Sequence, residues 1–574
     1  VAFSFSGFGS VELNLGLITN LKINHLSRQI ISLCHCINRL IICPTPPTQS
    51  IVEYYYSLNT QFMKTIITSI LILGMSGAFG QGALTLTTSN SNARFSVSNN
   101  GMFFSNPSTT GGYFVPKDSL VSSIYSTAFM AVGRDINGGI KGAVAKIMNS
   151  DFTPGPYLPN QANYSSQSYI NKYQFSLWDI TKAQIDHHIA HWADQGYVVP
   201  GIINFWPGNG DTGNGESLLL APFHDSDGDQ VYEPEYGEYP IIRGDKAVYT
   251  IINDGNGVHS SGLDRAQLEV HMMFYQYDDS TDGALTNTVF FQTTVFNRGT
   301  QSLTDFHAGH FIDFDLGNPH DDYIGTEPGR NLAYIYNGDL NDEFFSGNPG
   351  YGEMPPAAGI LNLDGSLYSH ILISDPSGLN TASEYYNVLS GLLPDGSQLL
   401  DANNQPTTYI YNDLDSLTGW HEYMLGNPSG DRRSVSGHDP VNFGPGEVLC
   451  YNNAAIFARK FELNLTASVD SLFLVANHIQ DFYNNQNFYC ETQHLGLQEE
   501  QQLSISIYPN PAKDQIRVDG LTFGTYRIVN LEGKELLAGT LENPFIQIDL
   551  LKNGFYILEI TSGRKYDRKS FVKE

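Results

Sequence analysis

The chain has 574 residues and a formal charge of −29, from 59 acidic and 30 basic side chains. A protein this acidic is repelled by nucleic acid phosphates and by anionic lipid, so neither is an expected partner, whereas divalent cations are. The acidity is concentrated: residues 81–502 hold 48 acidic and 16 basic side chains, while residues 503–574 hold 9 and 10, which marks a domain boundary near residue 500.

Residues 1–62 show neither sustained periodicity nor a capping pattern and read as non-native upstream translation. From Met63 the pattern becomes that of a secretory leader over 63–80, with Lys64 as the charged region and Ile66 to Met75 as the apolar one. Ala78 and Gly80 supply the small residues before a cut that would leave Gln81 first. The apolar run, about ten residues, is half of the roughly twenty that a transmembrane helix needs, and no other stretch is long and apolar enough to span. Cys34, Cys36 and Cys43 precede Met63, so Cys450 and Cys490 remain after processing and are expected to pair in an oxidising compartment.

Residues 81–490 are Gly- and Asn-rich with many Tyr and Phe, and predict a mainly β, sandwich-like body with few helices, divided near residue 285 into 81–285 and 286–490. One helix is predicted from about Thr181 to Gly196, with Ile185, Ile189 and Trp192 aligned, and another from about Ser468 to Tyr483. Phe290 to Phe296, a turn at Asn297 to Thr300, and Leu303 to Phe314 read as a strand pair. His187 and His191 share a helix face near Asp194, but His188 stands where a zincin needs Glu, so the expectation is a solvated polar face with His188 at the core edge. Trp420-His421-Glu422 lacks a second His. A Gly-x-Ser-x-Gly elbow and a phosphate-binding loop are both absent from the sequence.

Two groups of carboxylates stand out. Asp225, Asp227 and Asp229 alternate in a loop followed by Glu233, Glu235 and Glu238, and oxygen ligands at positions 1, 3 and 5 suit calcium. The loop is not an EF-hand, because Gly228 falls at position four, Gln230 at six and Tyr236 where the bidentate Glu would be. In the second group, Asp313 and Asp315 share one face of a strand, roughly 7 Å apart along it, and Asp321 and Asp322 follow. Asp313 and Asp315 are expected either to share a cation with Asp321 or Asp322 or to form the acid/base pair of a glycosidase.

Residues 491–502 read as a linker, and 503–574 as a small immunoglobulin-like β-sandwich. There Ile505 and Ile507, Ile516 and Val518, Ile546 and Ile548, and Tyr556, Leu558 and Ile560 alternate with polar residues. The segment opens on Tyr508-Pro509-Asn510-Pro511, turns at Gly533-Lys534 and closes from Gly554 to a basic end. It resembles the C-terminal sorting domain, type A, of the type IX secretion system. That resemblance implies export across both membranes to the cell surface or medium, with the secretion machinery and its C-terminal signal peptidase as partners.

The body is similar to a group of large uncharacterised surface proteins that carry this tail, through Trp206-Pro207-Gly208-Asn209-Gly210-Asp211, Leu220-Ala221-Pro222-Phe223, Asp313-Phe314-Asp315-Leu316-Gly317 and Tyr336-Asn337-Gly338-Asp339. It departs at Gln230, where glycine is expected. Taken together, these features predict a calcium-stabilised surface protein that binds glycan or matrix; the alternative is a secreted hydrolase of polysaccharide or protein.

Overall fold

The computed structural model describes residues 83–105, 112–145, 150–345, 347, 349–373, 378–412, 414, 419–486, 505–520, 524–530, 534–541, 543–562 and 565–574. The upstream segment 1–62, the expected leader 63–80, the linker 491–502, Cys490 and Gly533 lie outside these.

Two antiparallel sheets build the body, of ten and nine strands among the described residues. In the first, Leu303–Phe314 lies between Ser126–Arg134 and Arg432–His438. In the second, Val289–Asn297 lies between Leu268–Gln276 and Val448–Ala458. The sheets meet through their aromatic inner faces, where the Phe103 ring is 5.0 Å from Phe274 and 4.9 Å from Phe291.

Both outer faces are covered too. Helix Ala467–Asn485 lays Val469, Leu472, Phe473, Ala476 and Ile479 on the nine-stranded sheet, in one cluster with Tyr275, Phe290 and Tyr334. Helix Ala382–Leu389 packs with Met130, Val132, Ile371 and Val435 of the other sheet. Coverage on both sides is why the strands lack a clean period of two: every residue of Leu268–Gln276 is buried.

Leu303–Phe314 has the predicted bounds, but it does not pair with Val289–Asn297. The turn between them carries the chain from one sheet to the other, so the expected hairpin is an arch. The physical reason is edge occupancy: both edges of Val289–Asn297 are hydrogen-bonded to Leu268–Gln276 and Val448–Ala458, while Leu303–Phe314 is held by Ser126–Arg134 and Arg432–His438. Strands from both sides of residue 285 interleave in each sheet.

The helix predicted from Thr181 runs over Lys182–His191, with Thr181 as N-cap in a reciprocal capping box with Gln184. No helix among the described residues is long and apolar enough to cross a membrane.

The tail is a second, smaller sandwich. Ser506–Tyr508, Gln515–Asp519 and Phe545–Gln547 form one sheet; Glu535–Leu541, Gly524–Val529, Gly554–Ser562 and Lys565–Lys573 form the other. Ile505, Ile516, Val518, Ile546, Ile548, Tyr556, Leu558 and Ile560 meet in its core, with Ile507 packed at the edge. The Tyr508–Pro511 opening fastens the first strand region to the last: Asn510 accepts from the Val572 N–H at 2.9 Å and donates to the Ser570 carbonyl at 3.2 Å. Lys534 N–H donates to Asn530 Oδ1 across the turn, at 2.9 Å.

Candidate metal centre

The end of strand Leu303–Phe314 carries a group of three carboxylates. Asp313 sits opposite Ser126 on one side and Arg433 on the other, and is buried. Asp315 is half-buried just beyond the strand, and Asp431 is exposed just before Arg432–His438. One carboxylate oxygen from each of Asp313, Asp315 and Asp431 lies within 4.8 Å of the others.

Arg433 answers part of this charge. Its Nε is 3.0 Å from Asp313 Oδ1 and its Nη2 is 2.8 Å from Asp431 Oδ2. The Asp313 contact is ionic and not directed, since Asp313 Oδ1 accepts no hydrogen bond. With all three carboxylates ionised, one guanidinium leaves two negative charges unanswered. Burial, reinforced by Asp431, lifts the Asp313 carboxyl to about 6, against the opposing pull of Arg433. Burial followed by the Asp313 charge pushes Asp315 well above its ordinary range.

Asp321 and Asp322 do not join that group; they lie with Asp342 in a second acidic pocket. Asp322, fully buried, accepts the Leu316 N–H at 3.0 Å on Oδ2 and has no partner on Oδ1. Asp321 Oδ2 accepts from Asn318 Nδ2 at 3.0 Å, and its Oδ1 is also unpartnered. Asp342 accepts the N–H groups of Asn318 at 3.0 Å and Tyr351 at 2.6 Å. Asn337 stands opposite Asp322 in register, with its Nδ2 unpartnered. Burial is the main cause of the raised carboxyls here: Asp321 reaches about 6, Asp342 about 7, and Asp322 stands well above its usual value.

The Asp225 loop is organised differently. Strands Phe223–His224 and Tyr239–Pro240 pin its ends, and oxygens of Asp225, Asp227 and Asp229 lie within 4.8 Å of one another near the surface. Each also accepts a backbone N–H of the loop: Asp225 from Gly228 and Gln230, Asp227 from Asp229, Asp229 from Val231. Gln230 adopts φ +67°, which explains why glycine suits that position. Glu238 is buried and accepts the N–H groups of Ser226 at 2.9 Å and Glu233 at 2.8 Å. Glu233 is held above its usual range by partial desolvation, then by Asp229 and Asp227.

His188 is buried against this loop, its Nε2 3.0 Å from the Glu238 carbonyl, as its place on the core edge predicts. The His187 and His191 rings are 4.4 Å apart, and His191 pairs with Asp194 at 2.8 Å. Among the described residues no histidine joins a group of three metal-ligating side chains. Cys450 is in a disulfide.

Sequence reasoning missed Asp431 and Asp342. Asp431 reaches Asp313 only because Arg432–His438 pairs with Leu303–Phe314, and no local spacing announces it. Asp342 is brought in by the loop at Gly317 and Asn318.

Residues 506–574 match the profile of the secretion system C-terminal sorting domain. This tail marks the chain for export by the type IX system to the cell surface or extracellular space. No curated protein matches. Among solved structures, a polysaccharide lyase aligns at 9% identity and TM-score 0.19 over 59% of this chain, which spans 37% of the lyase. A protein described as a candidate aldose 1-epimerase from Escherichia coli K12 aligns at 12% identity and TM-score 0.19, over 66% of this chain and all of its own.

Proposed function

We propose that the exported body is a calcium-stabilised surface binding protein for glycan or matrix, with calcium held at Asp313, Asp315 and Asp431 and at the Asp225–Asp227–Asp229 loop. The observation that carries the reading is the convergence of three carboxylates beside a single arginine, one of them buried and one half-buried. At an effective dielectric of about 20, two like charges about 5 Å apart repel by about 3 kcal/mol, and less where one is exposed. A divalent cation reverses that sign; hard oxygen donors are what calcium takes.

Asp321 and Asp322, with their unpartnered oxygens, extend this acidic end, and Glu233 flanks the surface loop. The hydrolase alternative needs one carboxyl held protonated beside one held ionised. Asp313 at about 6 and Asp315 well above its ordinary range meet that condition, but Asp313 is buried in the sheet with its charge already paired to Arg433. Removal of the tail by the system's C-terminal signal peptidase after export belongs to the same proposal.

Melting of the full chain in excess calcium and in chelator tests it. A metal bound only by the native form stabilises by about 2.7 kcal/mol at a hundredfold excess over its dissociation constant. Asp315→Asn should remove the buried site's share of the response and Asp227→Ala the loop's share. Coincident curves with and without calcium overturn the reading.

A further inference from the structure

Two of the sixteen basic side chains of this acidic body, Lys141 and Arg265, meet at one cleft. A cavity of about 490 Å³ opens between loops 157–161, 264–267 and 299–303, and Lys141 and Arg265 line it against a single carboxylate, Asp264. Elsewhere in residues 81–502 acidic side chains outnumber basic ones, 48 to 16 overall. The volume falls within the roughly 300–1,000 Å³ of small-ligand clefts. Lys141 shares its charge with Asp135 at the rim, while Arg265 has no carboxylate partner among the described residues. Arg265 Nη1 donates to the Gly255 carbonyl at 2.8 Å, a neutral acceptor, and Lys141 Nζ is a loose 3.8 Å from Asp135.

The walls are built and not incidental. Gln267 holds φ +63°, a conformation that costs a non-glycine residue about 1 kcal/mol or more and persists only where its surroundings enforce it. Enforcement comes from two bonds: its N–H to Asp254 at 3.1 Å, and its Nε2 to the Tyr157 hydroxyl at 2.7 Å. The buried Glu269 carboxylate in turn accepts the Tyr157 N–H at 2.7 Å. A Cβ at Gly299 would stand 3.0 Å from Gln267 Oε1, so the opposite wall approaches this amide closely. Thr300 and Gln301 add an exposed hydroxyl and amide, and Pro159 and Leu303 an apolar edge.

The guanidinium fork of Arg265, with Lys141 beside it, suits a carboxylate, and amide and hydroxyl groups suit vicinal hydroxyls, which donate and accept. We propose that this cleft binds an acidic saccharide unit, with its carboxylate between Lys141 and Arg265 and its hydroxyls along Gln267, Thr300 and Gln301. The proposal rests on the binding-protein reading but on none of the calcium residues.

Calorimetric titration of the full chain with trigalacturonic acid, its methyl ester and acetate tests it. The acid should bind, the ester should bind at least tenfold more weakly, and Arg265→Gln should weaken the acid at least tenfold while leaving the melting response to calcium intact. Lys141→Gln with Arg265→Gln should abolish binding. No binding of the acid at millimolar concentration, equal binding of the ester, or unchanged binding by the double variant overturns the proposal. Displacement of the trisaccharide by equimolar acetate overturns its saccharide part. Loss of the calcium response with saccharide binding kept counts against the calcium reading alone.

Discussion

Among the buried titratable side chains of this body, the carboxyls of the acidic end and three core histidines have opposite pH behaviour. Burial raises Asp313 and Asp321 to about 6 and Asp342 to about 7, with Asp315 and Asp322 well above their usual range. Their folded values exceed the unfolded one of about 3.9, so acidification through about pH 7 and 6 toward that unfolded value stabilises the metal-free chain. Burial lowers His310 and His370 to about 3 and His438 to about 4. These lie below the unfolded value of about 6.5, so their stabilising effect is lost as pH falls through it. Five raised carboxyls outnumber three lowered histidines, so melting temperature in chelator should rise as pH falls from about 7.5 to 5.5, and the gain from calcium should shrink over the same range as protons compete for the carboxylates. A calcium gain that does not change with pH would detach it from these groups. His310 offers a sharper probe, since neither ring nitrogen has a partner and Phe103, Phe129 and Phe291 surround it at 5.8, 6.0 and 5.4 Å. His310→Leu should be neutral to stabilising by about 1 kcal/mol at pH 7.5. Urea melts at pH 5.5 should show a larger gain.

Among the elements, loop 316–322 decides the acidic end. Gly317 has φ +76°, and a Cβ there would lie 2.0 Å from Asp342 Oδ2, so the close approach requires glycine. Gly317→Ala should cost more than about 1 kcal/mol, read as a lowered denaturation midpoint with an unchanged slope. A midpoint equal to the parent's would mean that the loop can shift without loss. The Asp313–Asp315 spacing was legible because alternation along a strand is local. Asp431 was not, because pairing between Leu303–Phe314 and Arg432–His438 joins segments more than a hundred residues apart. The arch after Val289–Asn297 escaped for a related reason: a hairpin and an arch bury the same side chains, and only the occupied strand edges distinguish them.

At the scale of the whole molecule, the tail carries its own core, made of residues 505–571, separate from the clusters of the body. Deleting residues 503–574 should leave the body with an unchanged cooperative melt but retained in the periplasm; normal surface delivery would show that export does not depend on the tail. The sequence by itself determined the export route, the β class, the tail sandwich and the acidic composition, because short-range motifs, alternation and charge are properties of neighbouring residues. Tertiary structure decided how two sheets interleave across residue 285, which carboxylates meet, and that Lys141 and Arg265 face one cleft. Those outcomes depend on long-range strand pairing and on burial, which set the distances and the desolvation that give a charged group its chemistry.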